Sequence, residues 1–218
     1  LSLELTRGLP YNVTTEMDMA LWQTAQAIKS DPASFSVFSE YTPEQLMSAY
    51  SGKSFPTPGQ AAVEKFMSQY EMRGVGEIDI GRERWKENPL QVFQTLQSYL
   101  KIDDPSKAPD VIFARGENAS TAAQETIFNK LGQQKHGWLK KQVARKVMRT
   151  YRAFGGLRET PKFTIIRLMG AIRIGLLESG EEYVRDGIIN QPGDLFYLRV
   201  DELKQLASGV SRNWKRII

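Results

Sequence analysis

Apolar residues recur at spacings of three and four along almost the whole chain, and no stretch alternates as a half-buried strand would. Met17, Leu21, Ala25 and Ile28 make one such stripe, and Val63, Phe66, Met67 and Tyr70 a second. Leu90, Phe93, Leu96 and Leu100 follow, then Ile127, Phe128 and Leu131 as core candidates. Leu139, Val143, Val147, Tyr151 and Phe154 form the clearest stripe, and Phe163, Ile166, Met169, Ile172 and Leu176 are read as directed into a core. Strand–helix alternation of the kind that builds a parallel sheet is missing, and no fixed-period repeat appears. The pattern predicts a mainly α fold: one irregular multi-helix domain over residues 1–218, with long loops and little or no sheet. Only Asp194–Leu198 (DLFYL) reads as a short strand or extended piece.

Caps and breakers divide the chain. Thr14 or Thr15 is expected to cap the first long helix, with Glu16 and Asp18 in its first turn, and Asp31-Pro32 to end it. Thr42-Pro43 and Asn88-Pro89 are cap-plus-proline starts. Residues 102–118 hold Pro105, Pro109, Gly116 and several acids, and read as a loop and a candidate internal hinge. Asn118-Ala119-Ser120 matches a glycosylation acceptor, which means nothing in a chain without a secretion signal.

Composition removes several classes of function. Cys 0 excludes disulfides, thiol catalysis and zinc–thiolate sites, and fits a cytoplasmic setting. With His136 alone, a metal site of two or more imidazoles is impossible, and no metal site is expected. Lys+Arg 29 against Asp+Glu 25 is far from the basic excess of a dedicated nucleic-acid binder. No apolar run is long enough to cross a bilayer. The opening LSLELTRGLP reads as a fragment cut from something longer.

The chemistry the residues suggest is anion binding. In GGLRETPKFTIIRLMGAIR (Gly155–Arg173), Thr160-Pro161 reads as a helix start, and Arg158 and Lys162 stand four residues apart around it. A lysine in a first turn has the wrong sign for the helix dipole, which makes sense if a phosphate or carboxylate arrives to meet it. The plainer reading is a solvated pair neutralised by Glu159. The helix from Trp138 to Phe154 carries Lys140, Lys141, Arg145, Lys146, Arg149 and Arg152 with no acid among them. It is either a solvated face answered by acids elsewhere, which is the simpler view, or an electrostatic surface for phosphate-bearing ligands. In EIDIGRERW, Glu77 and Asp79 are surrounded by Arg73, Arg82 and Arg84, which reads as an ion-pair network locking an irregular segment, anchored by Trp85 in apolar surroundings. His136 has nothing nearby to fix its tautomer and is read as a surface residue.

Four segments resemble the phosphoenolpyruvate synthase-like enzymes, and the rifamycin phosphotransferases above all. They are GLPYNVTTEMDMALW (Gly8–Trp22), RGVGEIDIGRERW (Arg73–Trp85), LRETPKF (Leu157–Phe163) and GDLFYLRVDEL (Gly193–Leu203), in the expected order. Glu71, where the family pattern has a glycine, and Glu83, where it has a proline, are departures.

The resemblance implies a three-part enzyme that uses ATP and Mg2+. An ATP-grasp region splits ATP, a swivelling domain carries a phosphohistidine, and a third region presents the acceptor. ATP, water and acceptor become AMP, phosphate and phosphorylated acceptor. This chain looks like the later part of the acceptor-binding helical region, binding no cofactor itself, with the ATP and histidine domains elsewhere on the same polypeptide. The resemblance places Arg158 and Lys162 against the transferred phosphoryl group, and Arg73 and Glu77 as substrate-binding candidates that shape the pocket. It implies a small-molecule hydroxyl acceptor such as a rifamycin, and neither nucleic acid nor a membrane as partner. Pyruvate is the alternative acceptor. The alternative of another class is a stand-alone helical module that binds nucleic acid or an acidic partner through the basic helix.

Overall fold

The computed structural model describes residues 2–218, and it is mainly α, as the periodicity predicts. Its α-helices are α1 (Ser2–Leu5), α2 (Val13–Ser30), α3 (Pro32–Glu40), α4 (Pro43–Ser51), α5 (Thr57–Tyr70), α6 (Leu90–Leu100), α7 (Pro109–Gly132), α8 (Gly137–Gly155), α9 (Thr160–Arg185), α10 (Val200–Ala207) and α11 (Trp214–Ile217). Three 3-10 turns join them, and no strand occurs among the described residues. The chain divides into two compact units, Leu1–Tyr70 with Pro89–Phe163, and Glu71–Asn88 with Thr164–Ile218.

The first unit has its core among α2 to α6. Ala25 and Ile28 of α2, Phe38 of α3, Leu46 of α4, Val63 of α5 and Phe93 and Leu96 of α6 are fully buried. Phe38, Phe55 and Phe93 meet at centroid distances of 4.8 to 6.2 Å, in the tilted and edge-on geometries that aromatic rings prefer. Thr42 caps α4 as expected, and Gln45 closes a reciprocal box: Gln45 N–H donates to Thr42 Oγ1 (3.3 Å) and Thr42 N–H to Gln45 Oε1 (2.8 Å). The cap of α2 is Asn12, not Thr14 or Thr15. Its Oδ1 accepts from both threonine N–H groups (3.0 and 3.1 Å), and an amide oxygen one turn earlier serves better than a β-branched hydroxyl already inside the helix.

Residues 102–118, read as a loop, are helical from Pro109 onward. Pro109 does not break the chain there, because it stands in the first turn of α7, where a missing N–H costs nothing. The unit boundaries fall at residues 70/71, 88/89 and 163/164. Ser120, the last residue of the glycosylation match, is fully buried within α7.

The second unit gathers Ile189, Leu195, Leu198, Leu206 and Trp214 into a small core. Asp194–Leu198 is not a strand. Pro192–Tyr197 forms a 3-10 helix, held by the buried Asp194 carboxylate accepting from Asn190 N–H (2.9 Å) and Gln191 N–H (3.1 Å). Ile166 of α9 is buried as expected, but Ile172 is 48% exposed, and Arg173 takes the buried place beside it.

Candidate functional site

Helical backbone runs unbroken from α8 through the 3-10 turn Gly156–Glu159 into α9. Gly155, Gly156 and Thr160 all hold right-handed helical angles, and Thr160 N–H already donates to Leu157 O. α9 begins at Thr160 as expected, but it follows the preceding turn without a break, so the Thr160 N–H is not open to an anion. What remains at Arg158 and Lys162 is charge and access: both side chains are exposed, and Arg158 donates one hydrogen bond to Glu159 Oε1 (3.1 Å).

The stripe on α8 is not a core face. Leu139, Val143, Val147, Tyr151 and Phe154 are between 41% and 65% exposed. The face that meets α7 is instead built from Gly137, Lys141, Ala144, Met148 and Arg152, which are buried or half-buried. A stripe of three-and-four spacing announces a face to be covered, and α7 covers a different one. The spacing carries on past Phe154 to Arg158 and Lys162, so an exposed apolar row ends in two cations within the first unit.

The six basic residues of α8 do not act alike. Arg152 is a clamp, donating to Ser120 Oγ (2.8 Å), Arg7 O (3.2 Å) and Gly8 O (2.7 Å). Arg145 lies over the Phe128 ring, 5.7 Å from its centroid. Gly156 is pressed onto the same N-terminal segment: a β-carbon there would stand 1.8 Å from Pro10 O, so only glycine fits. The Gly8–Asn12 segment is thereby fixed against the junction that carries Arg158. Beside it lies a groove of about 570 Å³ lined by residues of that segment, α2, α5 and α7. Tyr70, on its wall, stacks at 6.0 Å on Phe163, the neighbour of Lys162.

In the second unit the structure brings Arg73 and Glu77 together. Arg73 Nε donates to Glu77 Oε2 (2.7 Å), which also accepts from Gly74 N–H (3.2 Å), and both side chains are largely buried. This is the ion-pair network read from the sequence. Trp85 is half-buried, with its N–H donating to Arg73 O (2.7 Å), and the most buried member is Arg84, 1% exposed, donating to Glu77 O (2.7 Å). Burial pushes the Arg84 guanidinium below its ordinary pKa, and the nearby Arg173 adds to this. Arg173, missed as a structural residue in the sequence, grips Glu87 and Ile80 O (2.9 Å) and stacks 4.6 Å from the Phe196 centroid. Its position seven residues after Ile166, on the buried side of α9, was the available signal.

Among the described residues no group of three or more His, Cys, Asp or Glu is placed to hold a metal ion, and no helix is long and apolar enough to cross a membrane. His136 begins α8 in a left-handed conformation (φ 59°) without a side-chain cap bond.

Comparison with known proteins bears on the whole chain. Residues 2–159 match the family described as the rifampicin phosphotransferase fourth domain. A rifampicin phosphotransferase of Bacillus subtilis (strain 168) is 25% identical over 202 residues, covering 93% of this chain and 23% of the relative. One from Streptomyces sp is 27% identical over 201 residues, covering 92% and 23%. One from Bacillus cereus is 24% identical over 213 residues, covering 98% and 24%. The chain thus spans about a quarter of the length of these relatives. With more than half of its residues inside that match, the chain belongs to the rifampicin phosphotransferase fourth-domain family.

Proposed function

We propose that this chain is the acceptor-binding helical region of an ATP-dependent, dikinase-type phosphotransferase, passing a phosphoryl group from a phosphohistidine to a hydroxyl acceptor such as a rifamycin. One observation carries the reading: the exposed apolar row of α8 runs straight into the exposed Arg158 and Lys162. An acceptor with a large apolar body would lie along the row, about 22 Å from Leu139 to Phe154 at 1.5 Å per residue. Its hydroxyl would then meet the phosphoryl group beside two cations. Those charges stabilise the oxygens on which negative charge develops as the bond to the carrier breaks and the bond to the acceptor forms. The nucleotide and its Mg2+ have no phosphate-binding loop here to receive them, and belong in this reading to other parts of the polypeptide.

Pyruvate as acceptor fits less well, because a small polar molecule has no use for a row of exposed valine, leucine and phenylalanine. A nucleic-acid module fits less well too, since Arg152 is spent on backbone carbonyls and Arg145 on an aromatic ring. The test is the full-length protein incubated with ATP and either a rifamycin or pyruvate, with AMP, phosphate and phosphorylated acceptor all quantified. Equal amounts of the three products with the rifamycin, and none with pyruvate, are expected. Turnover with pyruvate alone, or with neither, overturns the assignment.

A further inference from the structure

The groove beside the Gly8–Asn12 segment carries features that phosphoryl transfer does not use. Two aromatic residues that are at least partly exposed, Tyr11 and Phe113, line it together with Met19, while Tyr70, also on the lining, is buried against Phe66 and Phe163. Two carboxylates, Glu16 and Glu117, line it as well, with no lysine or arginine among the lining residues. Neither carboxylate has an ion-pair partner among the described residues. The nearest cation along α5 is Lys65, one helical turn before Gln69, in an adjoining hollow.

Tyr11 is held in place by more than its own preferences. Its backbone is left-handed (φ 61°), a conformation a tyrosine adopts only when its surroundings require it, and its side chain is 60% exposed at the groove. The surroundings do require it. Arg152 holds Arg7 O and Gly8 O, Gly8 itself is left-handed (φ 55°), Pro10 sits on Gly156, and Asn12 caps α2. An aromatic ring kept at the mouth of a groove whose other charged groups are acidic is the arrangement that binds an organic cation, through ring faces and carboxylates together.

We propose that this groove is a binding site for a small molecule with an apolar or aromatic body and one protonated or quaternary amine, received by Tyr11 and Phe113 and neutralised by Glu16 and Glu117. The site takes a cation, whereas Arg158 and Lys162 attract an anion, so the two are chemically distinct. The proposal does not depend on phosphoryl transfer.

The test compares benzyltrimethylammonium with its uncharged carbon isostere, neopentylbenzene, by ligand-observed NMR titration of the chain at low ionic strength. Saturable binding of the cation, at least tenfold tighter than the isostere, is expected. Glu16→Gln and Glu117→Gln should each weaken it several-fold, and Tyr11→Gly should weaken it without lowering thermal stability, since glycine accepts the same backbone angle. Lys65→Met should leave it unchanged or tighter. Equal binding of the two probes, no saturable binding of the cation, or full affinity in both glutamine variants overturns the site.

Discussion

Arg173 and Glu87 face each other through two hydrogen bonds of 2.8 Å, Nε to Oε2 and the terminal nitrogen to Oε1. They belong to segments 86 residues apart in sequence and close the Glu71–Asn88 stretch onto α9 within the second unit. The fork-to-fork match is specific to arginine, and Arg173 is only 5% exposed. Arg173→Met should cost about 3 kcal/mol, because the carboxylate is left partly buried without its partner. Arg173→Lys should recover little of this. Chemical denaturation of the three proteins checks both statements.

The same pair sets an acid limit. Burial pulls the Glu87 carboxyl upward, but hydrogen bonds from Arg173 and the Arg84 N–H, with the charges of both guanidinium groups, outweigh it and hold the pKa below the ordinary value. A carboxylate depressed in the folded state contributes stability that is complete above its unfolded pKa of about 4.3 and is lost as pH falls through the folded value. Stability of the wild type should therefore fall below about pH 4.3 more steeply than that of Glu87→Gln, which lacks the titrating group. Parallel acid limbs in pH-dependent denaturation would remove Glu87 from this role.

Gly156 and Gly175 offer a controlled contrast. At Gly156 an added methyl runs into Pro10 O, and the N-terminal segment must shift, so Gly156→Ala should cost about 2–3 kcal/mol. At Gly175, inside α9, an added methyl meets nothing within 4 Å, and Gly175→Ala should stabilise by about 0.5–1 kcal/mol through helix propensity. Thermal unfolding of the two variants is the measurement.

The α8 row should matter to acceptors and not to folding. Val143→Glu and Val147→Glu lie on exposed positions, so each should change stability by less than about 0.5 kcal/mol. In the full-length enzyme both should raise the KM for an apolar acceptor, by about tenfold for the lost contact and the added charge. Phe93→Ala, in the first unit's core, should by contrast cost about 3–5 kcal/mol.

The helices were legible because their periodicity and caps are local properties. Thr42 with Gln45 satisfies its own helix start within four residues, so the sequence alone places it. What failed was the core reading of the α8 stripe and of Ile172 on α9. Val143 and Val147 obey the same spacing as Val63 and Met67, yet only the α5 pair is buried, because spacing specifies a face and not its cover. Arg173 failed for the complementary reason. Its guanidinium draws on the Glu87 carboxylate and Ile80 O, 86 and 93 residues away, and the sequence near it does not show that gathering. DLFYL misled because its apolar residues suit a strand, whereas Asp194 turns the backbone back on Asn190 and Gln191. At the candidate site, charge and spacing single out Arg158 and Lys162 as candidates, while nothing local signals the continuous helix beneath them.

The most direct test of the account is single-turnover transfer to a hydroxyl acceptor in full-length Arg158→Ala and Lys162→Ala, each first charged with labelled phosphate from ATP. The account predicts normal charging of the enzyme, unchanged thermal stability, and transfer slowed by about two to three orders of magnitude. Transfer at near wild-type rates in both variants would contradict it.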